Sequence, residues 1–257
     1  MNTYIQDMFT LEGKIALVTG ASRGLGQAMA IAFAKAGATL VLTARSKESL
    51  TDTVKMIEAE GGEALALGCD QSHGKNIDVV FEAIKSKYGR VDILVNNAGT
   101  IRRAPAHETT DEDWNAVIDT NLNGVFQFCR AAGAMMLKQG SGKIVNIASL
   151  LTFSGGITVP AYAASKGAVG QLTKALANEW AANNIQVNAI APGYFATDNT
   201  QQLQDNPERN ASITARIPTG KWGQPEDLVG AALFLSSKAS SYVNGHILLV
   251  DGGWMAR

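Results

Sequence analysis

Tyr162 and Lys166 stand four residues apart in Tyr162-Ala163-Ala164-Ser165-Lys166. On a helix, the phenol and the amine therefore share a face. A tyrosine ionises near pH 10, so forming the phenolate at pH 7 costs roughly 4 kcal/mol unaided. A nearby ammonium favours the phenolate and lowers that cost. A phenol tuned in this way can take a proton from an alcohol or return one to a carbonyl oxygen. The pair alone is weak evidence, because a surface ring beside an ordinary lysine has the same spacing.

A second chemical feature lies near the start of the chain. Thr19-Gly20-Ala21-Ser22-Arg23-Gly24-Leu25-Gly26 follows the apolar run Ile15–Thr19 and precedes an apolar helical pattern. A glycine turn in that place lets a pyrophosphate approach the backbone, and the helix that follows offers unpaired N–H groups. An acid at the end of the second strand would bind the adenosine ribose of a dinucleotide. Here Ala44 stands about where that acid would be, and Arg45 follows it. An arginine attracts the 2′-phosphate that an acid repels, and Arg23 is placed to help. The run favours NADP(H), with NAD(H) the alternative; Arg45 pointing only to solvent is the bland reading.

The elements that must position these groups follow from the hydrophobic pattern. Strand-like runs occur at Ile15–Thr19, Thr39–Thr43, Ala64–Leu67, Val91–Val95, Lys143–Ala148, Gln186–Ala191 and His246–Val250. Helical patterns lie between them: Leu25–Lys35, Leu50 to Ile57, Ile77 to Tyr88, a long helix from a Thr109–Glu112 capping box through Val125, Tyr162–Ala181 and Pro225–Ser236. The β runs are continuously apolar, as in a parallel sheet buried on both faces. Alternating β and α units predict an α/β fold: a single doubly wound Rossmann-type domain spanning residues 1–257. Gly193–Lys221 is the one long irregular stretch, and it is expected to be a substrate lid.

Composition narrows the classes. The 257 residues are 46% hydrophobic and 18% charged, with net charge −1. No basic tract offers a surface for nucleic acid or anionic membranes. Cys69 and Cys129 form no CxxC and read as buried or incidental thiols in a reducing compartment. Met1–Glu12 carries no leader pattern, and no apolar stretch of about 18 residues is present, so a cytoplasmic protein is expected. His73, His107 and His246 are widely separated, and no metal site is expected.

Asn96-Asn97-Ala98-Gly99, Ser149 and the Tyr162–Lys166 run complete a set with the glycine turn. Together, in this order and spacing, they resemble the short-chain dehydrogenase/reductase family from about Leu11 to the C-terminus. The resemblance implies that Gly20, Gly24 and Gly26 lie under a pyrophosphate, with Ser22, Arg23 and Leu25 in the same turn. It matches Asp70 to an adenine-contacting acid and Asn97, beside Ala98 and Gly99, to a residue at the adenosine ribose. Asn121, Ser149, Tyr162 and Lys166 match a catalytic tetrad, and Pro192, Gly193 and Thr197 match the segment bordering the nicotinamide. Lys166 would also hold the nicotinamide ribose, and Asn121 a water linked to Lys166. Ser149 would hydrogen-bond the substrate oxygen, a bond that strengthens as charge develops there. The family's members are commonly tetramers. By analogy, the helices from Asp111 and after Tyr162 would pair across subunits, with Trp254 and Arg257 either at an interface or packed within their own chain.

Arg102 and Arg103 follow the Asn97-Ala98-Gly99 turn, and an arginine there can clamp a carboxylate. A solvated basic pair is the plain alternative. Asn199, Thr200, Gln201, Gln202, Arg209 and Arg216 make the lid polar, which suits a sugar acid better than an acyl chain. Ile101-Arg102-Arg103, Asn178-Glu179-Trp180, Ala191-Pro192-Gly193-Tyr194, Asn199–Leu203 and Asp251–Arg257 are similar to the branch of the family acting on sugar acids of the 2-dehydro-3-deoxy-D-gluconate or gluconate type. In that setting Arg103 is the leading carboxylate ligand and Arg102 the second, with Ser149, Tyr162 and Tyr194 also at the substrate. The alternatives are a 3-oxoacyl or general ketone reductase, and a non-catalytic dinucleotide sensor. The intact tetrad weighs against the sensor.

Overall fold

The computed structural model describes residues 3–257; Met1 and Asn2, which both the leader reading and the domain span include, lie outside them. Seven apolar runs form strands: β1 Ile15–Thr19, β2 Thr39–Ala44, β3 Ala64–Gly68, β4 Ile93–Asn96, β5 Gly142–Ile147, β6 Ile185–Pro192 and β7 Ile247–Val250. They make one parallel sheet in the order β3-β2-β1-β4-β5-β6-β7. Val18 sits between Leu42 and Val95, at the point where the strand order reverses. Ligands of open parallel sheets bind beyond the strand ends at such a crevice.

Side chains alternate across each strand, and the two faces bury different cores. Leu17, Val41, Leu94, Ile144 and Val187 pack with Phe81, Phe128 and Trp180 on one side. Val18, Leu42, Val95 and Val145 pack with Met29, Phe33, Ile57 and Leu235 on the other. All eight residues of β6 are buried, whereas the edge strands β3 and β7 are partly exposed. This explains the continuous apolar runs: a central strand covered on both faces has no polar side.

The helices are α1 Thr3–Phe9, α2 Gly24–Lys35, α3 Thr51–Ala59, α4 Gly74–Tyr88, α5 Asp111–Ile118, α6 Gly124–Gln139, α7 Pro160–Trp180, α8 Gln201–Gln204, α9 Pro207–Arg216 and α10 Val229–Ser236. None among the described residues is long and apolar enough to cross a membrane. Cys69 and Cys129 are free and buried, and burial pushes their thiols up to about 11 and about 12.

Strand ends differ from the expected bounds by one or two residues, the usual fraying. Three larger differences have physical reasons. First, α1 buries no side chain and so left no amphipathic signal. Second, the long helix expected from Asp111 through Val125 is broken by a π turn over Asp119–Asn123. Its cap is also one residue later than expected: Thr110 Oγ1 accepts the Asp113 N–H at 3.1 Å, while the Thr109 hydroxyl donates to the Pro105 carbonyl. Third, 193–221 is not irregular. It holds a 3-10 turn over Asp198–Thr200 as well as α8 and α9. Asn206 caps α9 by accepting the Arg209 N–H at 3.0 Å, and Pro207 takes the first helical position.

Candidate active site

The sequence-predicted residues converge on the carboxyl edge of the sheet. The glycine turn joins β1 to α2, Arg45 follows β2, Asp70 follows β3, Asn97–Gly99 follow β4, Ser149 follows β5, and Pro192 ends β6 with Gly193–Thr197 after it. Tyr162 and Lys166 approach the same edge on α7.

The turn after β1 is shaped for a ligand. Gly20 has φ +63°, and a Cβ there would meet the Ala98 Cα at 2.7 Å. A Cβ on Gly26 would stand 2.3 Å from the Gly20 carbonyl oxygen and 2.4 Å from Asn97 Nδ2. The N-cap of α2, Arg23, makes no side-chain capping bond. The first N–H groups of that helix are therefore left for an anion. Asn97 builds this turn directly: its Nδ2 donates to the carbonyls of Thr19 and Gly20, both at 3.0 Å.

Asp70 and Arg45 lie together at the far end. Burial opposes ionisation of Asp70, yet the Ser72 hydroxyl and amide, His73 and Arg45 outweigh it and hold the carboxyl below its usual range. Arg45 is exposed, as a 2′-phosphate ligand must be before binding. Arg23 is not free: it pairs with Asp198 of the 193–221 segment at 2.8 Å. Thr197 lies against Gly24, with 3.5 Å between its Cγ2 and a Cβ built there. The segment after β6 thus lies against the glycine turn. Gly193 allows this departure, since a Cβ would meet the Asp251 Cα at 2.7 Å.

Ser149 is extended at the end of β5 and caps a short 3-10 turn, its oxygen accepting the Leu151 N–H at 3.1 Å. Its hydroxyl hydrogen is left to donate. Burial pushes the Tyr162 phenol above its ordinary value, while the Ser149 hydroxyl and the Arg103 charge pull it back. Lys166 is 4% exposed, and its Nζ donates to the Ile147 carbonyl at 2.6 Å. Burial brings this amine down to about 8. Its Nζ lies 5.7 Å from the Tyr162 ring centroid.

Asn121 is fully buried in the π turn. Its Oδ1 accepts the Thr100 N–H at 2.8 Å, and its Nδ2 donates to the Thr100 carbonyl at 2.9 Å and to Ser165 Oγ at 3.3 Å. The side chain clamps the loop after β4.

The two arginines on that loop separate. Arg102 Nε pairs with Asp113 at 3.2 Å. Arg103 is exposed, takes part in no ion pair among the described residues, and acts on the Tyr162 phenol. The Ala104 N–H donates to the Thr158 carbonyl at 3.0 Å. Thr158 has φ +61°, a strained value for a β-branched residue. Tyr194 is half-buried in an aromatic group, its ring 4.7 Å from Trp254 and 5.4 Å from Trp222. Trp254 is buried within its own chain against Leu150, Ile213 and Ile217, and Arg216 stacks on it at 4.1 Å. Arg257 donates to the Ala215 carbonyl. The C-terminal segment thus braces α9.

Several positioning groups escaped the sequence reading. Thr19 Oγ1 accepts the N–H groups of Asn97 and Ala98, both at 3.0 Å. Thr152 Oγ1 donates to the Lys166 carbonyl at 2.9 Å and accepts the Ser149 N–H at 3.4 Å, joining the two active-site segments. Gln71 bonds two loops at once. The Thr19 position at the end of a strand was a usable signal; the others have none in local sequence.

Residues 20–255 match the family profile described as enoyl-(acyl carrier protein) reductase. The chain is 52% identical to the 2-dehydro-3-deoxy-D-gluconate 5-dehydrogenase of Bacillus subtilis (strain 168), over 99% of each chain. It is 50% identical to a candidate 2-deoxy-D-gluconate 3-dehydrogenase from Agrobacterium tumefaciens solved with NADP, with TM-score 0.89 over 98% of this chain and 100% of that one. It is 40% identical to a gluconate 5-dehydrogenase from Burkholderia cenocepacia J2315 in complex with NADP and tartrate, with TM-score 0.95 over 98% and 99%. With the glycine cradle, the Ser149–Tyr162 pair and the parallel sheet in place, these likenesses have one meaning: the chain belongs to the short-chain dehydrogenase/reductase family.

Proposed function

We propose that this protein is an oxidoreductase that interconverts a hydroxyl and a keto carbon of a sugar acid of the 2-dehydro-3-deoxy-D-gluconate or gluconate type. The observation that carries the proposal is Arg103: an exposed guanidinium with no carboxylate partner among the described residues, close enough to Tyr162 to lower its phenol. A substrate whose reacting oxygen meets Tyr162 and whose carboxylate meets Arg103 uses both groups. The names of the relatives point the same way.

The cradle of Gly20, Gly24 and Gly26, with the free N–H groups of α2, would hold the pyrophosphate of a nicotinamide dinucleotide, and Asp70 and Asn97 its adenosine half. Arg45, with no acid beside it at Ala44, favours NADP(H), and NAD(H) is the second choice. Two relatives were crystallised with NADP. When bound, the nicotinamide supplies or accepts the hydride. The chain itself manages the proton and the charge. Ser149 donates a hydrogen bond to the substrate oxygen, and Tyr162 takes the hydroxyl proton in oxidation or returns it in reduction. Lys166 contributes a buried amine near neutrality, and Asn121 holds the loop that carries Arg103. The substrate enters under 193–221, which acts as the lid of a single catalytic domain, with Tyr194 at its base. A cytoplasmic homotetramer is part of this reading; exposed Trp114 and Phe126 on α5 and α6 supply apolar surface for it.

Initial rates followed by nicotinamide absorbance test the reading. Each reduced cofactor is paired with keto-sugar acids, each oxidised one with gluconate and deoxygluconates, and acetoacetyl thioester is the control. Turnover of a sugar acid supports the proposal and names the cofactor. Activity on the thioester alone moves the protein to acyl reduction.

A further inference from the structure

Gln71 follows Asp70 just beyond β3 and is 6% exposed. Its Nε2 donates to two carbonyls that are 27 and 49 residues away in sequence: Ala98 at 3.3 Å and Thr120 at 2.7 Å. Ala98 belongs to the turn after β4 that supports the cradle. Thr120 belongs to the π turn and immediately precedes Asn121.

The π turn explains why a side chain is needed there. In a regular helix the Gly124 N–H would donate to the Thr120 carbonyl, four residues back. Here the Gly124 N–H reaches the Asp119 carbonyl instead. The Gln71 amide supplies a bond to the carbonyl whose regular donor has been diverted. Packing seals the arrangement: a Cβ on Gly124 would stand 2.7 Å from the Gln71 carbonyl oxygen. Asn121 then bonds both main-chain groups of Thr100. Two buried amide side chains therefore fasten the stretch 98–100 to the π turn, Gln71 from one side and Asn121 from the other.

We propose that Gln71 is a positioning residue for the reaction, holding Asn121 and the 98–100 turn in register with Ser149 and Tyr162. It acts through the π turn and touches neither the reacting carbon nor its proton. The inference rests on the function proposed above. A buried glutamine that only satisfies two carbonyls would stabilise the fold and leave turnover alone, and that difference can be measured.

Gln71→Met keeps the length of the side chain and removes both donors; Gln71→Glu keeps its size and lacks the donors when ionised. Each is compared with wild type and with Asn121→Ala for kcat, KM, cofactor Kd by fluorescence and amide hydrogen exchange. The expected result is a kcat lowered about 10- to 100-fold, the scale of a small misplacement of catalytic groups. Cofactor Kd should stay within about threefold, because the Asn97 bonds to the Thr19 and Gly20 carbonyls still hold the cradle. Exchange should speed up at Thr100 and across 119–125. A folded Gln71→Met variant with wild-type kcat overturns the proposal, whether or not its exchange is faster. Should Gln71→Met fail to fold, Gly124→Ala displaces the Gln71 backbone while keeping every donor, and an unchanged kcat there overturns it equally. If the wild-type protein turns over no substrate on the panel, the functional reading fails. The exchange at Thr100 then still judges Gln71: faster exchange in Gln71→Met supports its hold on the turn, and unchanged exchange refutes it.

Discussion

Replacing Arg103 by alanine tests the substrate class and the electrostatics of Tyr162 together. Two opposite charges about 4 Å apart near a protein surface attract by about 4 kcal/mol before desolvation is subtracted. Arg103 is exposed, so most of that is lost to water, and a charge-assisted hydrogen bond nets about 1.5–3 kcal/mol. Arg103→Ala should therefore lower kcat/KM for a sugar acid about 10- to 150-fold. A neutral ketone has no carboxylate to lose and should be spared that drop. Both substrates should share a second effect. The Arg103 charge lowers the Tyr162 phenol, so its removal moves the phenol upward. Oxidation of a sugar acid needs the phenolate, so its rise of rate with pH should shift to higher pH in the variant; reduction of the ketone needs the phenol, so its fall of rate with pH should shift the same way. Initial rates from about pH 6 to pH 10 on both substrate types, for Arg103→Ala and Arg102→Ala, give both readouts. Arg102 already pairs with Asp113 at an exposed site, and its loss should cost under about threefold. Equal losses on acid and neutral substrates, or a larger effect at Arg102 than at Arg103, would refute the carboxylate clamp.

Further predictions concern the rest of the site. Tyr162→Phe should bind cofactor as before and lose turnover by about a hundred- to ten-thousand-fold, the worth of a general acid–base; unchanged turnover sinks the mechanism. Gly26→Ala places a Cβ 2.3 Å from the Gly20 carbonyl, and cofactor titration should show binding weakened at least about tenfold. A wild-type Kd in that variant would mean that the turn is not the pyrophosphate cradle. Lys166 has its amine at about 8 rather than 10.5, so between those pH values the unfolded chain binds a proton that the folded chain does not. Stability should then rise with pH across that window, by up to about 3 kcal/mol from this residue. Urea unfolding of wild type against Lys166→Met isolates it, because Lys143, whose amine burial also lowers, is common to both. A difference that stays flat from about pH 8 to pH 10 contradicts the assignment.

What the sequence determined by itself was local or periodic. Runs such as Ile185–Pro192 are apolar at nearly every position, and only burial on both faces of a parallel sheet calls for that. The glycine turn at 20–26 and the four-residue step from Tyr162 to Lys166 are short-range geometry, and short-range geometry survives in any packing of the elements around it. Tertiary structure decided the rest. Arg102 and Arg103 are adjacent and chemically alike, and only the approach of Asp113 on α5 told them apart. The Asn-Pro start of α9 was present in the sequence, but the polar surface of that helix hid it as loop. The π turn that buries Asn121 has no periodic signature, and Gln71 reaches it across 49 residues of chain. The tuning of Tyr162 and Lys166 came from burial, which spacing does not encode. Desolvation and long-range hydrogen bonds depend on what the crossovers bring together, and no local pattern of residues specifies that distance.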